Sequence, residues 1–253
     1  MAGYTERQEN RGLNSLALRI IGWLAMTWGA AQELLDIKSV DWATYMLWFS
    51  YTIFAFLLVE GVAQSSDRRL YFRRLLLFAV ISEFLYDYYF GGKLWDPSRQ
   101  NILVTLFVGF LVLVAAEAVR ARFDNMVLTF LTLIALSYAG TVLLVKINAE
   151  MGLYGLLLLD FIYISYNVTY TRIMELIFFA VFLINVSADN YLNIMINDFY
   201  YSIPDKAFCL LGVILTWFYN GKRGPNSLVL KTAYYMYYPV MLLVLCLVKR
   251  AMM

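Results

Sequence analysis

No histidine occurs anywhere in this chain of 253 residues. That removes the side chain most often poised to act as a general base near neutral pH, and the commonest nitrogen ligand for metals. Charge is scarce too: 15% of residues are Asp, Glu, Lys or Arg, against about 25% in soluble globular domains. Only two cysteines are present, Cys209 and Cys246, both in apolar stretches without Cys-x-x-Cys spacing. They read as inert packing thiols and exclude a disulfide scaffold. Four prolines and 14 glycines exclude low-complexity and fibrous chains. A net charge of +2 and a pI near 8.4 give no nucleic-acid surface. What fills the chain is apolar: 62% hydrophobic, 17% aromatic, with a mean hydropathy of +0.66. A soluble enzyme and a disordered regulator are excluded by the same figures.

A bilayer core of about 30 Å takes roughly 20 apolar residues per helix. Nine such stretches are predicted, near 13–33, 42–63, 71–90, 99–119, 125–146, 151–167, 172–195, 205–220 and 228–248. The sixth and eighth are short enough to be tilted, buried or re-entrant. None alternates strictly enough for a barrel strand, so the expected fold is all-α: a polytopic transmembrane bundle of about nine spans, eight to ten at the limits. Residues 1–253 form a single membrane domain, because no connection is long enough for a soluble one.

Lys and Arg in short loops set orientation. With the N-terminus cytoplasmic, twelve fall inside: Arg7, Arg11, Arg68, Arg69, Arg73, Arg74, Arg120, Arg122, Arg172, Lys222, Arg223 and Lys231. Seven fall outside, and Arg19 lies within the first span. The bias predicts a cytoplasmic N-terminus, with the basic loops 64–74 and 221–224 on one membrane side. Arg19 within the first apolar run favours an uncleaved anchor over a signal peptide.

Ionisable groups inside spans are costly and are the first functional candidates. Glu83 and Asp87 lie four residues apart on one helical face. Asp160 sits mid-way along the sixth span and Glu60 near the inner end of the second. Gln100 and Asn101 open the fourth. Together they are expected to line a polar cavity, unless each merely bonds a neighbour and fixes helix packing. Pro239, after Tyr234-Tyr235-Met236-Tyr237-Tyr238, removes a backbone donor inside a span and predicts a kink.

Four collinear segments resemble the TraX family of integral membrane proteins. The first is Ile53-Phe54-Ala55-Phe56-Leu57-Leu58-Val59-Glu60-Gly61, followed by Arg73-Arg74 through Glu83, with Asp87 beyond. The second is Leu94-Trp95-Asp96-Pro97 through Gln100-Asn101-Ile102. The third is Gly152-Leu153-Tyr154-Gly155-Leu156-Leu157. The fourth is Tyr219-Asn220-Gly221-Lys222-Arg223-Gly224, followed by Tyr237-Tyr238-Pro239. The resemblance spans most of residues 13–248. It implies a multi-pass protein of the bacterial inner membrane, similar to membrane acyltransferases. The family's namesake acetylates a pilin N-terminus, so acetyl-CoA or another acyl-CoA is the implied donor substrate, with no resident cofactor or metal.

The departures bear on chemistry. An Asp-His pair of the family pattern falls near Gly29 and Ala30, an Arg and a Pro fall at Trp48 and Thr52, and the histidine of a Tyr-Pro-x-His element falls at Met241. Acyl transfer needs a base for the acceptor's proton. The remaining candidates are Glu83, Asp87 and Asp160, none at a lost-histidine position. Phosphates of an acyl-CoA would meet Arg68, Arg69, Arg73, Arg74, Lys222 and Arg223. Ala30, Trp48, Glu60, Asn101, Tyr238 and Met241 are the expected cavity lining. The favoured expectation is a catalytically impaired, acyltransferase-like subunit that lies in the lipid bilayer and binds a membrane or envelope protein, a lipid or a peptide. No nucleic-acid partner is expected. The alternative is a working acyltransferase with a carboxylate base. A transporter is a third reading, and needs inverted repeats the sequence does not display.

Overall fold

The computed structural model describes residues 12–35, 42–65, 67–166, 191–196, 199–222, 224 and 228–252. Eight helices occur among them: α1 (Ser15–Leu35), α2 (Trp42–Gln64), α3 (Arg68–Gly91), α4 (Ile102–Phe123), α5 (Met126–Lys146), α6 (Gly152–Ser165), α7 (Phe208–Trp217) and α8 (Leu228–Met252). Strands β1 (Tyr191–Ile196) and β2 (Phe199–Pro204) pair antiparallel, Tyr191 opposite Pro204 and Ile196 opposite Phe199.

Four helical segments are long and apolar enough to cross a membrane: Ala43–Gln64, Ile102–Phe123, Met126–Lys146 and Thr232–Met252. The nine stretches predicted from hydropathy therefore reduce to four among the described residues, each for a physical reason. α1 has the length but is interrupted by Arg19 and Gln32. α3 is 24 residues long and carries four arginines, Glu83 and Asp87. α6 has 14 residues and α7 only 10; at 1.5 Å per residue these reach about 21 and 15 Å, short of the core. The seventh stretch lies outside the described residues up to 190, and its end is strand β1, so the all-helical expectation needs correcting by one hairpin. The basic positions Arg7, Arg11, Arg172 and Arg223 also lie outside the described residues.

Local chemistry sets the boundaries. Asp67 caps α3 by accepting from the Leu70 N–H at 2.8 Å, and Gly92 closes it in the left-handed region at φ 67°. Asp124 ends α4 at φ 44°, and Asn125 at once caps α5, accepting from Leu128 N–H at 3.0 Å. That two-residue turn lays α4 and α5 side by side. Pro239 sits inside α8, which continues through it as one helix.

The chain divides into two compact units. One comprises Met1–Phe54 with Leu176–Tyr234, the other Ala55–Glu175 with Tyr235–Met253. In the first, Gly212 of α7 lets α2 approach so closely that a Cβ there would stand 2.7 Å from Thr52 Cβ. Arg19 of α1 bonds Ser15 Oγ through Nε at 3.2 Å and lies 4.4 Å over the Tyr234 ring, which compensates the cation. In the second unit, α4 is the hub, packed by α3, α5 and α6. α5 is its edge. Thr129, Leu133, Ser137, Gly140 and Leu144 face inward, while Leu131, Ile134, Tyr138 and Val145 are exposed. One buried stripe and an apolar outer surface suit a helix bordered by lipid.

Candidate functional site

The second unit gathers its polar groups at the end of α3. Glu83, Tyr86, Asp87 and Tyr89 are buried there. The following segment, 92–101, folds back along the helix instead of leaving it. Asp96 N–H donates to Asp87 Oδ2 at 2.8 Å, and Asn101 N–H donates to Glu83 Oε2 at 3.1 Å. The Asn101 amide donates to the same Glu83 oxygen and to Ala79 O, while its Oδ1 caps α4 by accepting from Leu103 N–H at 2.8 Å. Asp96 Oδ1 accepts from Ser98 N–H at 3.1 Å, and these bonds to Ser98 hold its carboxyl below the usual carboxylate range.

A second connection closes over the first. Gln100 N–H donates to Asn148 O at 3.2 Å, Glu150 N–H donates to Gln100 O at 2.9 Å, and Thr105 Oγ1 donates to Glu150 O. Asn148 and Met151 take φ of 51° and 63° to make this turn. The Glu150 carboxylate, enclosed although the residue as a whole is half-buried, meets the Tyr86 hydroxyl and the Ile102 N–H. Burial pushes its pKa up to about 7, against the pull of Tyr86 and Arg99. Arg99 lies 5.7 Å over the Tyr86 ring and 5.2 Å over Phe90. Tyr238 of α8 is within electrostatic reach of Glu150, Tyr86 and Glu83. Lys249 Nζ donates to Tyr89 O at 2.8 Å and ties the end of α8 to α3.

Of the sequence-derived candidates, Glu83, Asp87 and Asn101 are thus brought together. Tyr238 adjoins them, and Met241 is buried on the same helix. Asp160 is elsewhere, its side chain facing Ser137. Glu60 bonds Gln64 at 3.0 Å. Among the described residues these carboxylates take different partners: Glu83 bonds Asn101, Asp87 bonds Asp96 N–H, Glu60 bonds Gln64 and Asp160 faces Ser137. Ala30 and Trp48 are buried in the first unit. Arg68 reaches Glu117 at 4.0 Å, Arg74 lies 5.9 Å over the Tyr235 ring, and Arg69 and Arg73 are exposed. Lys222 is an exposed residue of the first unit, its carbonyl accepting from Ser15 N–H at 2.9 Å.

Four residues were not singled out from the sequence. Glu150 stands in a short connection, where a carboxylate ordinarily meets water; its place just before Gly152 and a helix start was the available signal. Tyr86 was one of many tyrosines suited to an interfacial belt, and Arg99 was counted as an outer-loop cation. Lys206, counted as an outer-loop cation, is 1% exposed, with Nζ 5.7 Å from the Trp48 ring. Among the described residues no group of three His, Cys, Asp or Glu is placed to hold a metal ion. The chemistry on offer is carboxylate, phenol and guanidinium: proton holding and anion pairing.

The sequence profile of the TraX protein family matches residues 16–249. The chain is 24% identical over 251 residues to "Probable fimbrial assembly protein FimC, serogroup H1" of Dichelobacter nodosus, covering 95% of this chain and 97% of that one. No solved structure matches.

Proposed function

The chain belongs to the TraX family, and from that premise we propose that it serves fimbrial assembly as a multi-pass membrane subunit that binds a protein or lipid component without histidine-based acyl transfer. The observation that carries this reading is the use of the buried carboxylates at the end of α3. Glu83 accepts from Asn101, Asp87 from Asp96 N–H, and Glu150 from Tyr86 and Ile102 N–H. Each fastens a returning segment, and with no histidine in the chain the ordinary base for acyl transfer is missing. In this reading the arginine bias sets the N-terminus on the cytoplasmic side, in a bacterial inner membrane. α1 and α3 also cross the membrane, with their charges turned from lipid or placed at the ends.

One observation favours a second reading. A carboxylate with a pKa near 7, held by a tyrosine hydroxyl, is matched to general-base work at neutral pH. Glu150 would then take a proton from an amine or hydroxyl acceptor during transfer from acyl-CoA.

Complementation separates the two. A strain lacking the gene is expected to lose surface fimbriae, and the Glu150→Gln variant, produced at the parental level, is expected to restore them. Failure of that folded variant, together with acyl-CoA-dependent labelling by the purified parent, would establish the enzyme and sink the subunit reading.

A further inference from the structure

α3 has an outward face that the carboxylate cluster does not use. At 100° per residue, Arg69, Arg73, Leu77, Val80 and Phe84 fall within an arc of about 80°. The two arginines are exposed, and Leu77, Val80 and Phe84 are 53%, 50% and 44% exposed. The stripe is cationic over its first turns and apolar beyond. From Arg73 to Phe84 it runs eleven residues, about 16 Å, close to half of a bilayer core.

The neighbouring arginines are already engaged. Arg68 lies 4.0 Å from Glu117 and Arg120 3.7 Å from it, and Glu117 also accepts from the Tyr163 hydroxyl at 2.6 Å. Arg74 lies over Tyr235. Glu117 is thus consumed by three partners and does not neutralise Arg69 or Arg73, which make no ion pair or hydrogen bond among the described residues. If α3 crosses as proposed above, its two exposed guanidinium groups stand where a span meets headgroups and present the donor geometry that a phosphodiester accepts. A soluble phosphate would satisfy those groups and leave the apolar stripe below them uncovered. A phospholipid covers both.

We propose that this face of α3 binds an anionic phospholipid, its phosphate against Arg69 and Arg73 and one acyl chain along Leu77, Val80 and Phe84. The site is independent of any acyl transfer and of fimbrial assembly.

The test is native mass spectrometry of the full-length protein in detergent, titrated with phosphatidylglycerol or phosphatidylcholine. The parent is expected to retain phosphatidylglycerol in preference. The double variant Arg69→Gln/Arg73→Gln should lose about tenfold in apparent affinity, since each cation near a membrane surface contributes a modest electrostatic attraction. Arg69→Lys/Arg73→Lys should keep most of it, and Lys93→Gln/Arg250→Gln should change nothing. Equal retention of both lipids by the parent overturns the proposal, as does an unchanged double variant. Displacement of phosphatidylglycerol by inorganic phosphate or free coenzyme A at matched concentration also overturns it, assigning the arginines to a soluble anion. Because the parent-only comparisons stand by themselves, a double variant that fails to fold still leaves the proposal decided.

Discussion

Asn101 and Glu83 are joined twice: the Asn101 backbone N–H and its side-chain amide both donate to Glu83 Oε2. The same side chain caps α4 through Leu103 N–H and reaches the Ala79 carbonyl. One short amide therefore starts a helix and bolts the 92–101 segment to α3. Asn101→Ala should lower stability by roughly 1–3 kcal/mol, from a lost cap and buried bonds left unmade. Glu83→Gln should cost less, because its amide oxygen still accepts. Unfolding in mixed micelles gives the order; a greater loss for Glu83→Gln would assign the charge, not the bonding, the main role.

Glu150 makes stability depend on pH in a defined direction. Its pKa in the folded protein, about 7, lies above the ordinary 4.5, chiefly through burial. Folding therefore favours the protonated acid. The contribution is complete below about pH 4.5, declines as pH rises from there to about 7, and is flat above. The fall is at most about 3 kcal/mol. Glu150→Gln should remove this slope, and unfolding of both proteins between pH 4.5 and 8 measures it.

Gly212 should not tolerate even a methyl group. A Cβ there would meet Thr52 Cβ at 2.7 Å, Thr52 Cγ2 at 2.9 Å and the Phe49 carbonyl at 3.1 Å. Thr52 is β-branched, and its hydroxyl is held by Trp48 O at 2.8 Å, so it cannot turn aside. Gly212→Ala should cost about 1–3 kcal/mol. Gly92→Ala meets no atom within 4 Å and should show only the smaller cost of its left-handed backbone. Thermal inactivation of the two variants ranks them.

Ile134, exposed on the outer face of α5, reports on membrane contact. A lysine there would face acyl chains near the middle of a span and cost about 2.5–3.5 kcal/mol of insertion. The test is the membrane-inserted fraction of α5 in a glycosylation-mapping assay. Undiminished insertion would mean that this face does not border lipid.

Composition alone determined the class of this protein. With 62% hydrophobic residues and 15% charged, long apolar helices are the economical way to satisfy the backbone, and the helices α1 to α5 and α8 follow the apolar runs closely. The i, i+4 spacing placed Glu83 and Asp87 on one face, as found, and four segments carried the family resemblance. Tertiary structure decided the rest. Hydropathy does not register that α7 stops after ten residues or that 191–204 pairs as a hairpin, because strand pairing is a contact between segments. The sequence did not register that the 92–101 segment turns back and takes Glu83 and Asp87 as acceptors, or that Asp160 faces Ser137. Glu150 and Lys206 look like solvated loop charges in one dimension. Only the folding of one connection over another encloses a carboxylate at a helix start, and only packing under Trp48 buries a lysine, because desolvation is set by what the rest of the chain places around a group.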